Sequence, residues 1–214
     1  MAMIAGTIYG VALNDREQHA RLAAVFEEPP YKKPPQKPVL YIKPRNCLAG
    51  DGSRIQLPPD LAQVEVAATL GLLLGRDARG VTAEAALEHV AGICLALDVA
   101  EPHDGYYRPP LRQRCRDGFL PLGAPAVFDP CQLDCNIETF VNDAAAHIWS
   151  PRRLLRNAAS LIADISAFMT LAAGDLLLIG VPYDAPRAGA GDRITVRAKS
   201  LPELSAQLDM ETGA

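Results

Sequence analysis

The stretch AGICLALDVAEPHDGYYRPPLRQRCRDGFLPLG, residues 91–123, opens as an apolar run and closes as a loop dense in arginine. The run reads as a buried strand and ends on one carboxylate, Asp98. Tyr106, Tyr107, Arg108, Arg112, Arg114, Arg116 and Asp117 follow in quick succession. Pro109 and Pro110 each fix φ and lack a backbone donor, so the spacing predicts a stiff loop rather than a helix. Two readings of this loop stand side by side. One is a solvated basic surface; the other is a binding loop whose guanidinium forks pair bidentately with carboxylates.

Composition bounds what the loop can belong to. The chain has 214 residues, 49% of them hydrophobic, enough to bury a full core as a single domain over 1–214. Within it, 1–60 reads as a strand, a helix and a proline-rich segment, 61–200 as the core, and 201–214 as a tail. The net charge of −4 argues against nucleic acid as the main partner. A local cluster of arginines in an acidic chain suits a small polyanion, such as a di- or tricarboxylic acid. The first thirteen residues are apolar but have no basic leader and no small-residue cleavage site, so no signal peptide is read. No run reaches the roughly 18–20 apolar residues that span a bilayer, which predicts a soluble, cytoplasmic protein without a membrane partner. Five cysteines without a C-x-x-C pair fit reduced thiols, and four scattered histidines give no histidine-based metal site.

Outward from the central stretch, the chain alternates short strands with a few helices. Thr7 to Leu13 reads as a first strand. Asn14 with Glu17 reads as a capped start for a helix from Asp15 to about Phe26. The five prolines of 27–38 predict an extended segment, either a lid or a passive connection. Strands are expected at Val39 to Ile42, which delivers Lys43, then at Ile55 to Leu57 and at Val64 to Leu74. On the last of these, Glu65, Ala67 and Thr69 share one face. Thr82 caps a short helix through His89. Ala126–Val127 and Ile137 to Val141 read as strands. Ser150-Pro151 starts what reads as the longest helix, with Leu154, Leu155, Ala158, Leu161, Ile162 and Ile165 at helical spacing. Asp175 to Ile179 and Arg193 to Ala198 are the last strands, each after a Gly-Asp turn. Beyond Pro202 the tail is expected to fray.

Several motifs, in order along the chain, resemble the fumarylacetoacetate hydrolase family. They are IKPRN at 42–46, LLLGR at 72–76, RDGFLPLG at 116–123, FVN at 140–142, LIADISAFMTLAAGDLLLIGVP at 161–182 and GD at 191–192. GTIYGVALN at 6–14, FEEPP with YKKPP over 26–35, and YYRPPLRQRCRDGF at 106–119 are similar to one branch of that family. These are the N-terminal halves of the decarboxylase/isomerases of homoprotocatechuate (4-hydroxyphenylacetate) breakdown. The resemblance implies an α+β fold, mainly β: a mixed β-sandwich or roll with a few peripheral helices. It implies decarboxylation of 5-oxopent-3-ene-1,2,5-tricarboxylate and isomerisation of 2-hydroxyhepta-2,4-diene-1,7-dioate. It also implies Mg²⁺, which stabilises the enolate that each step passes through.

The same resemblance implies site residues and exposes departures. The family's glutamate pair falls on Ala67 and Thr69, and only the third metal ligand survives, as Asp98. Glu65 lies one strand repeat away, about 6.6 Å, too far for an oxygen that must sit at about 2.1 Å without a shift of register. The family acid/base pair falls on Gln18 and Arg21, with His19 one position off. The family lysine falls on Arg114, and G-T-P falls on Gly180-Val181-Pro182. On this basis Arg114, Asp117 and Gln18 are expected as catalytic residues, and Lys43, Tyr107, Arg108 and Arg112 as substrate-binding residues. Three readings follow: a subunit whose Mg²⁺ is held by a related second subunit, a structural partner without catalysis, and a self-sufficient enzyme acting on another 2-oxo acid; the expected assembly is with a related second subunit or a homo-oligomer.

Overall fold

The apolar runs at 64–74 and 90–100 form the two longest strands, and they pair antiparallel with Glu65 opposite Ala100 and Ala67 opposite Asp98. The structure, a computed structural model, describes residues 4–103 and 105–211. In chain order its elements are β1 (Ile8–Ala12), α1 (Arg16–Arg21), α2 (Ala23–Glu27), β2 (Val39–Lys43), β3 (Leu48–Ala49), β4 (Ser53–Leu57) and β5 (Val64–Leu74). Then come α3 (Ala83–Ala86), β6 (Val90–Ala100), α4 (Leu111–Arg114), β7 (Leu120–Pro121), β8 (Ala126–Val127), β9 (Ile137–Val141) and β10 (Ala144–Trp149). The last are α5 (Ala158–Ser166), β11 (Leu176–Leu178), β12 (Arg187–Ala188), β13 (Arg193–Ala198) and β14 (Leu204–Met210). A seven-stranded mixed sheet runs β2-β1-β11-β5-β6-β8, with β12 also on β5; a five-stranded sheet runs β10-β9-β13-β14-β4; β3 and β7 pair separately. The fold is α+β and mainly β, as the resemblance implies.

Side chains alternate across a strand, so the central strands supply two cores. Val66, Ala68, Leu70 and Leu72 of β5 and Ile93, Leu95 and Leu97 of β6 face the larger one, which is shared with the second sheet and with Leu161, Ile162 and Ile165 of α5. Leu73, Cys94, Ala96, Leu176, Leu178 and Ile8 point the other way into a smaller core closed by Cys47, Leu120 and Leu122. Burial on both faces explains why these strands read as continuous apolar runs. The smaller core exists because the sheet curls. In a flat sheet β2 and β6, four strand spacings apart, would be separated by about 19 Å. Here Lys43 of β2 and Asp98 of β6 meet at 2.7 Å.

Four local expectations are corrected. Asn14 is not the helix cap: Asp15 accepts from the backbone of Glu17 and Gln18, and the helix breaks at Leu22 into two short ones. Buried Asn14 instead clamps a distant segment, donating to the carbonyls of Ile179 and Arg156 and accepting from Arg156 N–H at 2.9–3.0 Å. That clamp, with Leu155 N–H donating to Asn14 O at 2.7 Å, holds residues near 155 out of helical geometry. So Ser150-Pro151 starts only a single 3₁₀ turn, and α5 begins later with Asn157 as its cap. The stretch after Pro110 contains one helical turn, α4, in which Arg114 N–H donates to Pro110 O at 3.0 Å. The segment after Pro202 does not fray: β14 pairs with β13 and β4 and buries Leu204, Ala206 and Leu208.

Candidate functional site

Asp98 lies near the C-terminal end of β6 and is fully shielded from solvent. Lys43 Nζ lies 2.7 Å from its Oδ1 and Arg114 Nη1 lies 2.9 Å from its Oδ2, while the Tyr41 hydroxyl donates to Oδ2. Lys43 is itself buried, and its ammonium donates to the carbonyls of Val99, Arg114 and Phe119 at 2.7–2.9 Å. Those three bonds use all its protons, so its contact with Asp98 is an ion pair rather than an aligned hydrogen bond. Tyr41 and Lys43 reach Asp98 together because they share a face of β2. Gly10, opposite Tyr41 in the register, leaves the space for the ring: a Cβ there would lie 2.1 Å from it. Arg114 also sits over the Tyr41 ring, 4.8 Å from its centroid.

These contacts set the charge states. Burial pushes the Asp98 carboxyl up, but the Lys43 ammonium and the Arg114 guanidinium outweigh it and hold the group below its ordinary range. Burial and the Asp98 charge push the Tyr41 phenol well above 10. Burial likewise pushes the Cys47 thiol up to about 11, despite the nearby Lys43, and Cys94 up to about 12, so neither is a nucleophile at neutral pH.

Beside this cluster lies a cavity of about 200 Å³ at the strand ends. Ala12, Glu65, Ala67, Asp98 and Ala100 form its floor. Gln18 of α1, His103 and Tyr106, Arg114, and the segment from Val181 to Tyr183 with Arg187 form its walls. Arg114 Nε donates to His103 Nε2 at 3.2 Å, and His103 Nδ1 lies 3.1 Å from Gly105 O. Together the two contacts assign the imidazole proton to Nδ1. Gln18 Nε2 donates to the Tyr106 hydroxyl at 2.7 Å, and Tyr106 N–H donates to the Tyr31 hydroxyl at 3.0 Å, tying α1, the arginine loop and the proline-rich segment together. Glu65 pairs with Arg187 across the β5–β12 register at 3.7 Å. Arg21 and Arg153 stack on the Tyr183 ring at 4.6 and 5.5 Å, which fixes that wall.

The structure brings Arg114, Gln18, Asp98 and Glu65 to one cavity. It does not bring the other expected residues there. Lys43 lies beneath Asp98, and its protons are spent on carbonyls. Asp117 is exposed and accepts from Asn46 Nδ2 at 2.7 Å. Arg112 is exposed, 3.6 Å from Asp60 and 4.0 Å from Glu101. Tyr107, 63% exposed, and Arg108 line an adjoining apolar groove of about 420 Å³ with Val39, Ile42, Pro109 and Leu111, which meets the cavity at Ala12, Tyr106 and Arg114. The physical reason is α4: its single turn directs Arg114 inward and leaves Arg112 outside. Tyr41, His103 and Arg187 were missed as site residues. The H-x₁₀-R spacing of His103 and Arg114 carries no periodic signal, and the role of Tyr41 depends on the curl of the sheet.

The expected metal position fails a direct test. Ala67, opposite Asp98, offers no oxygen, and the Thr69 hydroxyl donates to Gly180 O. Both Asp98 oxygens already face cations, and the described residues contain no group of three metal-ligating side chains. The donor set does not suit Mg²⁺, which demands near-octahedral oxygen coordination.

A mixed β-roll whose strand ends carry a small charged cavity, walled by a helix and two loops, is the class the geometry defines. Comparison makes the class specific: residues 7–209 match the family model described as Fumarylacetoacetate (FAA) hydrolase C-terminal, and the chain belongs to the fumarylacetoacetate hydrolase family. It is 40% identical over 199 residues to the "4-hydroxyphenylacetate degradation bifunctional isomerase/decarboxylase" of Escherichia coli. It is 39% identical to that organism's "Homoprotocatechuate catabolism bifunctional isomerase/decarboxylase". Each match covers 93% of this chain, which spans 46% of the length of either enzyme. Among solved structures, a 5-carboxymethyl-2-hydroxymuconate delta-isomerase from Mycobacterium smegmatis superposes with TM-score 0.82 at 26% identity, over 98% of this chain and 78% of its own. A fumarylpyruvate hydrolase from Pseudomonas aeruginosa, solved with Mn²⁺ and pyruvate, shares the fold at TM-score 0.80 and 20% identity, over 96% and 90%.

Proposed function

We propose that this chain is a subunit of a 5-oxopent-3-ene-1,2,5-tricarboxylate decarboxylase and 2-hydroxyhepta-2,4-diene-1,7-dioate isomerase in 4-hydroxyphenylacetate breakdown, working in the cytoplasm beside a related second chain. The observation that carries this reading is the 40% identity over 93% of the chain to one half of enzymes of that description. The metal test supports the pairing: the Mg²⁺ that the resemblance implies belongs, on this reading, to carboxylates of the second chain.

Decarboxylation breaks a C–CO₂ bond and leaves the electron pair on carbon, delocalised as an enolate, so a fixed positive charge beside the developing oxyanion lowers the barrier. On this reading Arg114, braced by Asp98 and His103, takes that role. Gln18 holds Tyr106 in the wall and so shapes the space around the substrate. Arginine remains protonated at neutral pH, so Arg114 stabilises charge rather than moving a proton.

The test is an assay of the purified chain, alone and mixed with a related chain that keeps the metal-binding carboxylates, on the tricarboxylate with Mg²⁺. Faster CO₂ release from the mixture than from either chain alone is expected. A mixture no faster than the second chain alone would assign this chain a purely structural part. Full activity of this chain by itself would make the pairing unnecessary.

A further inference from the structure

We infer that the cavity beside Asp98 takes a carboxylate of a small 2-oxo acid or dicarboxylate directly on the Arg114 guanidinium, with no metal ion between ligand and protein. The 2-oxo acid rests on the functional reading above; the carboxylate rests on charge and geometry.

Among the described residues at the site, Lys43, Arg114 and Arg187 are cationic, whereas Asp98 and Glu65 are carboxylates. Among these described residues one positive charge is left over, at a place where Lys43 is 1% and Arg114 6% exposed. A buried charge without a counter-ion is costly, and an anionic ligand offsets that cost. The donor inventory points to the same spot. Lys43 spends its protons on three carbonyls, whereas Arg114 uses Nη1 on Asp98 and Nε on His103, and its Nη2 donates to no described residue. Arg114 lines the cavity, so that nitrogen is a donor still available to a ligand.

A metal ion has no room in this arrangement. The two cations on Asp98 occupy the place where an ion would need the carboxylate, and Ala67 and Thr69 supply no free oxygen. The site's positive charge is therefore built into the protein. The size of the cavity limits the ligand, since about 200 Å³ falls below the roughly 300–1,000 Å³ of pockets for larger ligands. Sulfate carries the same charge as oxalate but is tetrahedral and has no second carboxylate, so comparing the two separates carboxylate recognition from charge neutralisation alone.

The experiment is calorimetric titration of the full-length chain with oxalate in excess chelator, repeated with Mn²⁺ in place of chelator and with sulfate in place of oxalate. One oxalate per chain is expected, with the same affinity with or without Mn²⁺ and tighter than sulfate. Arg114→Gln should weaken it about 10- to 150-fold. Because Arg114 also braces Asp98, Ala67→Leu serves as a second variant: it fills the cavity without touching an ion pair and should abolish binding. No oxalate binding at millimolar concentration, binding only with Mn²⁺, equal affinity for sulfate, or unchanged binding in both variants would each overturn the proposal. Chelator-resistant binding without any gain in decarboxylation would overturn the functional reading alone. Decarboxylation in the mixture without chelator-resistant oxalate binding would overturn this proposal alone.

Discussion

Asp98 stands between burial, which favours its neutral form, and two cations, which favour the carboxylate and prevail. Its carboxyl is thus depressed in the folded chain relative to the unfolded value of about 3.9, and the unfolded chain binds the proton more readily. The stabilisation is complete above that value and is lost as pH falls through the folded value, so acid denaturation should set in below about pH 4. Asp98→Asn removes this dependence and leaves two buried cations unpaired. It should cost about 3–5 kcal/mol in urea unfolding at neutral pH. Tyr41 shows the opposite sign: its phenol is raised, so its contribution holds below about pH 10 and is lost above it. Tyr41→Phe should flatten the alkaline limb of the stability profile. Asp98 and Arg114 were legible in the sequence as a carboxylate at a strand end and an arginine in a loop. Their pairing with each other, and with Tyr41 and Lys43, was not, because it depends on contacts across 16 to 57 positions that no local pattern encodes.

Single elements show where local signals succeed and fail. β5 and β6 were readable because burial on both faces makes their interiors apolar except for Glu65, Thr69 and Asp98, and each of these has a partner. β10 was not, since its sequence AAAHIW is poor in β-branched residues. The signal present was the turn. Asn142 and Asp143 both have positive φ, 50° and 67°, between Val141 and Ala144, which pair directly, so they form a two-residue hairpin loop of the kind that favours such residues. β14 was read as tail because its apolar residues alternate too briefly to stand out, yet three of them enter the larger core. Truncation after Pro202 should therefore not be silent. It removes those side chains and exposes the edges of β13 and β4, and the product is expected to lose its cooperative melting transition and aggregate. A truncated chain that melts like the full one would show that the second sheet does not need β14. At β1, Gly10→Ala sets a methyl against the Tyr41 ring, and a cost of about 1–3 kcal/mol is expected from thermal or urea unfolding.

For the whole molecule, the curl of the seven-stranded sheet is what turns scattered residues into a site. Nothing periodic encodes it, whereas the ordered family motifs specify the whole roll at once. That is why the fold could be read from motifs when the cavity could not. The arginine loop illustrates the division: its chemistry was apparent, but which of its four arginines turns inward is decided by the one-turn helix after Pro110. On the proposed function, the missing metal ligands are supplied by a related chain. The two chains should therefore co-elute at micromolar concentration, and separate elution with full activity in one of them would contradict the pairing.

The most direct measurement is steady-state kinetics of Arg114 variants in the active assembly, with the tricarboxylate as substrate. Loss of a charge-assisted contact of about 1.5–3 kcal/mol predicts that Arg114→Ala lowers kcat/KM roughly 10- to 150-fold, and that Arg114→Lys recovers part of the loss. If both variants stay within about twofold of the parent chain, as an uninvolved side chain would, then Arg114 does not meet the substrate and the cavity beside Asp98 is not where this chain acts.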